Sequence, residues 1–268
     1  MDRYKLYKLC CDIVVEFIKT RNKLLERRKC YICGKTFFSF LPVYGDSWYQ
    51  TQVRNQGINL YFCDGTYNRW EYRCPCCDSI DRTRFIMAYI HKKLRSKSNL
   101  KVLYFAPTPS GIHYLETKMH NFSVDTNDLY LKNKGIKFHY DIQNMRGIDD
   151  KTYDVIICSH VLEHVVDDRL ALKELHRVVK DGGKVLILVP LDLKRAWFDE
   201  ENGLSESENW RRFGQTDHVR RYTNNEIIKR IEEAGFKCSM ITRNDLSKEI
   251  VRQNAFHKNI RIYLAEKG

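Results

Sequence analysis

The pattern that most limits the fold is residues 153–190, YDVIICSHVLEHVVDDRLALKELHRVVKDGGKVLILVP. Val155–Cys158 is a short apolar run of the length of a buried parallel strand. A loop, 159–168, follows. The next stretch is amphipathic at helical spacing: Leu170, Leu172, Leu175, Val178 and Val179 share a stripe, while Arg169, Lys173, Glu174, Arg177 and Lys180 face away. Asp181-Gly182-Gly183 predicts the stop, because glycine accepts the left-handed conformation that ends helices. A second apolar strand, Val185–Val189, runs to Pro190. Strand, crossover helix and strand make a parallel unit, and such sheets bind ligands off the carboxyl ends of their strands. That edge carries Ser159, His160, Glu163 and His164.

The 268 residues are enough for one ordinary domain and a smaller module. No apolar run approaches the roughly 20 residues of a membrane span, and the first residues lack a signal peptide's pattern. The expectation is a cytoplasmic protein. The net charge of +12 is lopsided: residues 1–100 hold 19 Lys and Arg against 9 Asp and Glu. Such an excess suits nucleic acid, an anionic membrane surface or a phosphorylated substrate, and equally a solvated face.

Residues 4–28 read as a packing helix, from apolar positions at three- and four-residue steps without Gly or Pro. Ten cysteines in a cytosolic chain of this size suit metal binding or buried thiols better than disulfides. Cys30 and Cys33, then Cys74 and Cys77, form two C-x2-C pairs, the spacing that presents four thiolates to a tetrahedral Zn²⁺. Cys63 and Cys76 are alternates. Residues 36–73, rich in aromatics with Gly and Asn turns, read as the short strands of a zinc ribbon. Four thiolates leave no open position, so the zinc would be structural. Neither pair sits between a strand and a helix, which argues against a redox dithiol.

Asp81–Lys93 reads as a helix and Lys101–Phe105 as the first core strand, followed by Ala106-Pro107-Thr108-Pro109-Ser110-Gly111 and a helix over 112–120. Phe122–Asp125 and Lys137–Asp141 read as further strands, with Asp125 at a strand end, where an acid binds ribose hydroxyls. Residues 191–216 are long for a connection and read as a binding loop. Thr223 and Glu226 form a capping box for the following helix. Lys237–Thr242 and Asn259–Leu264 complete the set.

Tyr153-Asp154, Leu162-Glu163-His164-Val165 and Lys180-Asp181-Gly182-Gly183, in that order, resemble class I S-adenosylmethionine-dependent methyltransferases. Within them, Cys74-Pro75-Cys76-Cys77 through Arg82 and Arg84, Val102–Pro109 and Phe213-Gly214-Gln215-Thr216-Asp217-His218-Val219-Arg220-Arg221-Tyr222 resemble a subfamily with a cysteine-rich N-terminal segment and the wording FGQxDHVRxY. The resemblance covers about residues 74–236. It implies a Rossmann-like α/β fold, a mostly parallel sheet with an antiparallel last strand. Residues 1–29 would be an N-terminal helix, 30–80 the zinc-ribbon-like module and 81–268 the methyltransferase domain, with a substrate loop over 191–222. It implies cofactor contacts at Phe105, Ala106, Pro107, Gly111, Asp125, Asp141, Ser159 and His160. The usual Gly-rich cofactor loop is reduced to Gly111, and Thr108 stands where an acid is common.

Methyl transfer from a sulfonium is an in-line displacement, served by alignment and exclusion of water. A hydroxyl acceptor also needs a base, and histidine has a suitable pKa. His218 is the expected base, with Trp197, Arg220 and Arg221 as acceptor-binding residues, the arginines for a phosphate or carboxylate. The resemblance implies O-methylation of a small molecule or a sugar, with surface-glycan precursors as the associated class. Two other readings stand beside it: a zinc-ribbon RNA methyltransferase, favoured by the basic first third, and a binding protein whose reduced loop no longer holds cofactor.

Overall fold

Val102, Leu103, Tyr104 and Phe105 are successive residues, all buried, so the strand that carries them is covered on both faces. In the computed structural model this is β3 (Leu100–Phe105), an interior strand of the sheet. The structure describes residues 27–43, 66–131, 135–191, 193 and 197–268, with residues 9, 12, 13, 16 and 17 upstream. β3 pairs in parallel with β4 (Phe122–Asn127) and β5 (Tyr153–Ser159), and β5 pairs in parallel with β6 (Val179–Leu188). β9 (Lys237–Thr242) and β10 (Arg261–Glu266) close the order β4-β3-β5-β6-β10-β9, with β10 antiparallel to both neighbours. The architecture is the expected Rossmann-like sheet, mostly parallel with an antiparallel last strand.

Two apolar layers cover the sheet. On one face Tyr104, Ile157, Leu186 and Ile262 pack with α1 (Asp81–Leu94), α2 (Pro109–Lys118) and the cysteine-rich segment, including Cys30, Phe37, Phe40 and Cys74. On the other, Leu103, Ile156, Ile187 and Tyr263 pack with α3 (Asp168–Val178) and α5 (Asn224–Glu233). The cysteine-rich segment therefore shares a core with the sheet.

Several expected boundaries move. Leu9, Asp12, Ile13, Glu16 and Phe17 are helical, but Arg28–Lys29 forms strand β1, paired with β2 (Thr36–Phe37), so the helix does not reach residue 28. Most of 4–26 and all of 44–65, with Cys63, lie outside the described residues. α3 stops at Val178 and the chain is already extended at Val179; Gly182 and Gly183 sit inside β6. A side chain at Gly183 would meet Val179 Cγ2 at 2.7 Å and the Lys180 carbonyl at 2.8 Å. Leu170, placed on the apolar stripe by spacing, is exposed; Ala171 takes its place.

The strand expected at 137–141 is reduced to one bridge, Asn127 to Phe138. Three backbone bonds join residues 126–128 to 137–138, and side chains continue the pairing: Thr126 Oγ1 also accepts from the Lys137 N–H, and Asn127 bonds both the N–H and the carbonyl of Tyr140. The expected open loop at 191–222 is folded, with β7 (Asp199–Glu200) and β8 (Arg220–Arg221) paired around α4 (Glu206–Phe213). Ser205 and Glu208 form a reciprocal capping box at its start, and Gly214 ends it at φ +86°. At Thr223 only half the expected box forms: its hydroxyl accepts from Glu226 N, while Glu226 turns to Arg230. A short helix, α6 (Lys248–Gln253), was not expected.

Candidate active site

The carboxyl ends of β3, β4 and β5 open into a cavity of about 390 Å³. Phe105, Ala106, Asn127, Asp128, Tyr130, Asp141, His160 and His164 are on its wall. Ala106 and His160 end adjacent strands at φ +44° and +56°, left-handed values that cost a side-chain-bearing residue on the order of 1–3 kcal/mol. Both strained residues line the same cavity. Asp128 is held by its own loop, its Oδ1 accepting from Tyr130 N (3.0 Å) and Leu131 N (2.8 Å). Asp141 accepts from Gln143 N at 2.8 Å. Two carboxylates beside apolar Leu129, Ile142 and Val165 fit a nucleoside, whose hydroxyls need acceptors and whose base needs an apolar slot.

Of the residues expected to bind cofactor, Phe105, Ala106, Asp141 and His160 line this cavity; Pro107, Gly111, Asp125 and Ser159 do not. Asp125 lies mid-strand because β4 runs two residues further than expected, to Asn127. It is buried against Lys137 Nζ and the Tyr153 hydroxyl, 2.9 Å away. Asp128 occupies the strand end instead. Gly111 serves packing: a Cβ there would meet the Tyr104 hydroxyl at 2.8 Å and Thr108 Oγ1, the cap of α2, at 2.9 Å. Gly111→Ala should therefore cost about 1–3 kcal/mol of stability, read by thermal denaturation, through overpacking.

The loop after β5 is clamped by the 213–222 segment. Val219 N–H donates to the Glu163 carbonyl (3.0 Å). Arg220 donates to the carbonyls of Leu162, Val165 and Val166 and pairs with Glu200 Oε1 at 2.7 Å. Tyr222 bonds Asp168, which also receives Arg230. Arg220, expected to bind the acceptor, is thus buried and committed to the loop. Arg221 is also buried, with a bond to the Arg212 carbonyl. Trp197 is exposed and lines neither this cavity nor the second one described below.

The clamp brings His218 against the loop. Its ring meets the His164 ring edge-on, centroids 4.6 Å apart, and both flank Glu163, whose carboxylate is completely buried. Burial pushes the His218 imidazole down to about 4. Burial opposes ionisation of Glu163, yet the imidazoles of His160, His164 and His218 hold its carboxyl at about 2. Burial also lowers His164, but the Asp217 carboxylate, 3.0 Å from Nδ1, carries the balance upward. His218 itself sits behind His164, outside the cavity wall. A second, smaller cavity of about 50 Å³ adjoins; Tyr67, Tyr72, Asp81, Arg82, Leu188, Arg261 and again His160 line it. His160 is the residue the two cavities share.

The four sulfurs of Cys30, Cys33, Cys74 and Cys77 lie within 4.8 Å of one another. The two pairs have the same local geometry. Gly34 N–H donates to the Cys30 carbonyl and Asp78 N–H to that of Cys74; each pair is followed by a left-handed residue, Gly34 at +69° and Asp78 at +57°. Cys76 N–H points at Cys74 Sγ. Arg84 is fully buried beside them, stacked 3.8 Å over Phe40, with Nε and Nη2 unpartnered among the described residues. A tetrathiolate zinc carries a net negative charge, which this guanidinium would balance. Without a cation, burial pushes the Cys33 thiol up to about 12. The donor set fits Zn²⁺.

A family model described as "Methyltransferase domain" matches residues 75–239, more than half of the chain. The ubiquinone biosynthesis O-methyltransferase of Rickettsia conorii is 32% identical over 76 residues, which are 28% of this chain and 26% of that protein. The chain thus matches about a quarter of that relative's length. Among solved structures, a CurJ carbon methyltransferase shares 14% identity at a TM-score of 0.45, over 70% of this chain and 54% of that one. YcgJ from Bacillus subtilis shares 13% at 0.43, over 68% and 98%. A 1,6-didemethyltoxoflavin-N1-methyltransferase of Burkholderia thailandensis, solved with 1,6-didemethyltoxoflavin and S-adenosylhomocysteine, shares 15% at 0.45, over 69% and 78%.

Proposed function

The chain belongs to the methyltransferase-domain family, and from that premise we propose that it transfers a methyl group from S-adenosylmethionine to an oxygen of a small hydroxylated acceptor. The observation that carries the reading is the junction of the two cavities at His160. The larger cavity has the size and lining for the cofactor's nucleoside; the smaller, which shares His160 with it, receives the reacting end of the acceptor.

S-adenosylmethionine supplies an electrophilic methyl carbon on a positively charged sulfur. Asp128 would hold the ribose hydroxyls and Asp141 the adenine side, with Leu129 and Ile142 against the base. His160, at the junction, would take the proton that the acceptor hydroxyl gives up. In this arrangement the base is His160, while His218, first expected in that role, stands behind His164. The second cavity has room only for the hydroxyl-bearing end of a sugar or glycan precursor, and its wall suits an anionic group there: Arg82 and Arg261 provide charge, Tyr67, Tyr72 and Asp81 polar and ring surface. The cysteine-rich segment then has two tasks, since Tyr72, Asp81 and Arg82 come from it or its junction with α1. Zinc at the four cysteines would be structural.

Calorimetric titration with S-adenosylhomocysteine tests this. Micromolar binding is expected. Asp128→Ala should weaken it by about tenfold or more, one lost hydrogen-bonded carboxylate being worth on the order of 1.5–3 kcal/mol, while Asp125→Ala should act through stability instead. Absence of binding by folded, zinc-loaded protein would overturn the reading in favour of a non-catalytic binding protein. Retention of tRNA with steep salt dependence, and no methylation of nucleotide sugars, would move the acceptor to RNA.

A further inference from the structure

Glu163, His164 and His218 each present one ligand atom, and the three atoms lie within 4.8 Å of one another. Three observations set them apart from an ordinary buried network. Glu163 is wholly buried, and neither carboxylate oxygen has a hydrogen-bond partner among the described residues. His160 Nδ1 comes to 3.2 Å of Oε1 without the geometry of a hydrogen bond. Buried carboxylates in that condition are costly unless an ion or a cation meets them.

His164 is oriented from behind. Its Nδ1 is 3.0 Å from Asp217 Oδ2, which leaves Nε2 facing Glu163 Oε1 at 3.9 Å. That separation is too long for a hydrogen bond. It suits two donors that share one ion at about 2.0–2.2 Å each. A carboxylate on the far nitrogen is the usual support of a metal-bound histidine. The scaffold is also rigid: Arg220 fixes the carbonyls on both sides of Glu163, and Val219 N–H fixes that of Glu163 itself.

The geometry points to a second metal site, distinct from the cysteine quartet, in which Glu163, His164 and His218 bind a divalent transition-metal ion beside the cofactor cavity. Two imidazoles and one carboxylate suit Zn²⁺, Mn²⁺, Fe²⁺ or Co²⁺ better than Mg²⁺ or Ca²⁺. His164 and Asp217 are on the wall of the larger cavity, so the ion would sit at the edge of the space assigned to the cofactor. The binding of the ion does not rest on the methyl-transfer reading.

The test is metal stoichiometry on the full chain with its cysteine site filled by zinc. Mn²⁺ is titrated and followed by electron paramagnetic resonance, because it prefers nitrogen and oxygen to thiolate. One bound Mn²⁺ per chain is expected, competed by Zn²⁺ and Co²⁺. Glu163→Gln should abolish it. Asp217→Asn, on an exposed side chain, should fold normally and weaken it about 10–100-fold. Metal content that stays at one ion per chain under excess Mn²⁺, Co²⁺ and Zn²⁺ would overturn the inference, as would binding indifferent to Asp217→Asn. S-adenosylhomocysteine titrations of the same samples separate the two readings. Cofactor binding without a second ion removes the metal site alone; a second ion without cofactor binding removes the methyl-transfer reading alone.

Discussion

Cys74→Ser is expected to release the bound zinc and lower the melting temperature by more than about 10 °C. The size follows from where the sulfurs sit. Cys30 and Cys74 are in the same apolar cluster as Phe85, Met87 and Phe256, which covers one face of the sheet. Loss of the ion would leave three buried or half-buried thiols and take from the Arg84 guanidinium one of its counter-charges, Asp81 being the other. Structural zinc contributes on the order of 10 kcal/mol of apparent binding free energy. Even half of that, at about 2–4 °C per kcal/mol for a chain near this size, gives the stated shift. Elemental analysis and circular dichroism melts check it. Cys76→Ser, on an exposed side chain outside the quartet, should keep both zinc and stability. A Cys74→Ser protein with unchanged melting would remove the structural role from the cysteines.

The parts of this molecule that could be read in the sequence are those that depend on local chemistry. The 153–190 unit follows from periodicity, and the cysteine quartet from spacing alone, although about forty residues separate its halves. What could not be read depends on register. Asp125 and Asp128 are both acids near the end of one strand, and only the six-residue pairing of β4 with β3 decides that Asp128 reaches the cavity. The strand expected at 137–141 pairs through its backbone only at 137–138, and beyond that the Asn127 side chain takes the Tyr140 N–H and carbonyl. Some signals were present and passed over: Ser205 with Glu208, and Gly214, mark α4 as plainly as any capped helix. The histidine cluster needed the fold, because Glu163 and His218 are fifty-five residues apart and meet only through the clamp.

Arg220→Ala should cost about 3–5 kcal/mol of stability, the range for a broken buried charge pair. An arginine in a polar loop invites the role of acceptor ligand, and in that role its loss would raise the acceptor KM and leave the melting temperature alone. The surroundings predict the reverse. The Arg220 side chain is fully buried; it answers three carbonyls of the loop after β5, Glu200 at 2.7 Å and Asp168 at 3.8 Å. Glu200 and Asp168 also receive Arg230, and Asp168 the Tyr222 hydroxyl, so the charges form one network. Removing Arg220 strips the loop of its anchor and leaves Asp168, Glu200 and Glu226 to the one guanidinium of Arg230. His160 and Glu163 belong to that loop, so S-adenosylhomocysteine affinity should fall together with stability. Tyr222→Phe deletes a single hydroxyl from the same network and should cost only about 1–3 kcal/mol. Denaturant unfolding and calorimetry on both variants give the comparison. Arg220→Ala with wild-type stability and a raised acceptor KM would return the residue to the substrate and leave the clamp without its principal contact.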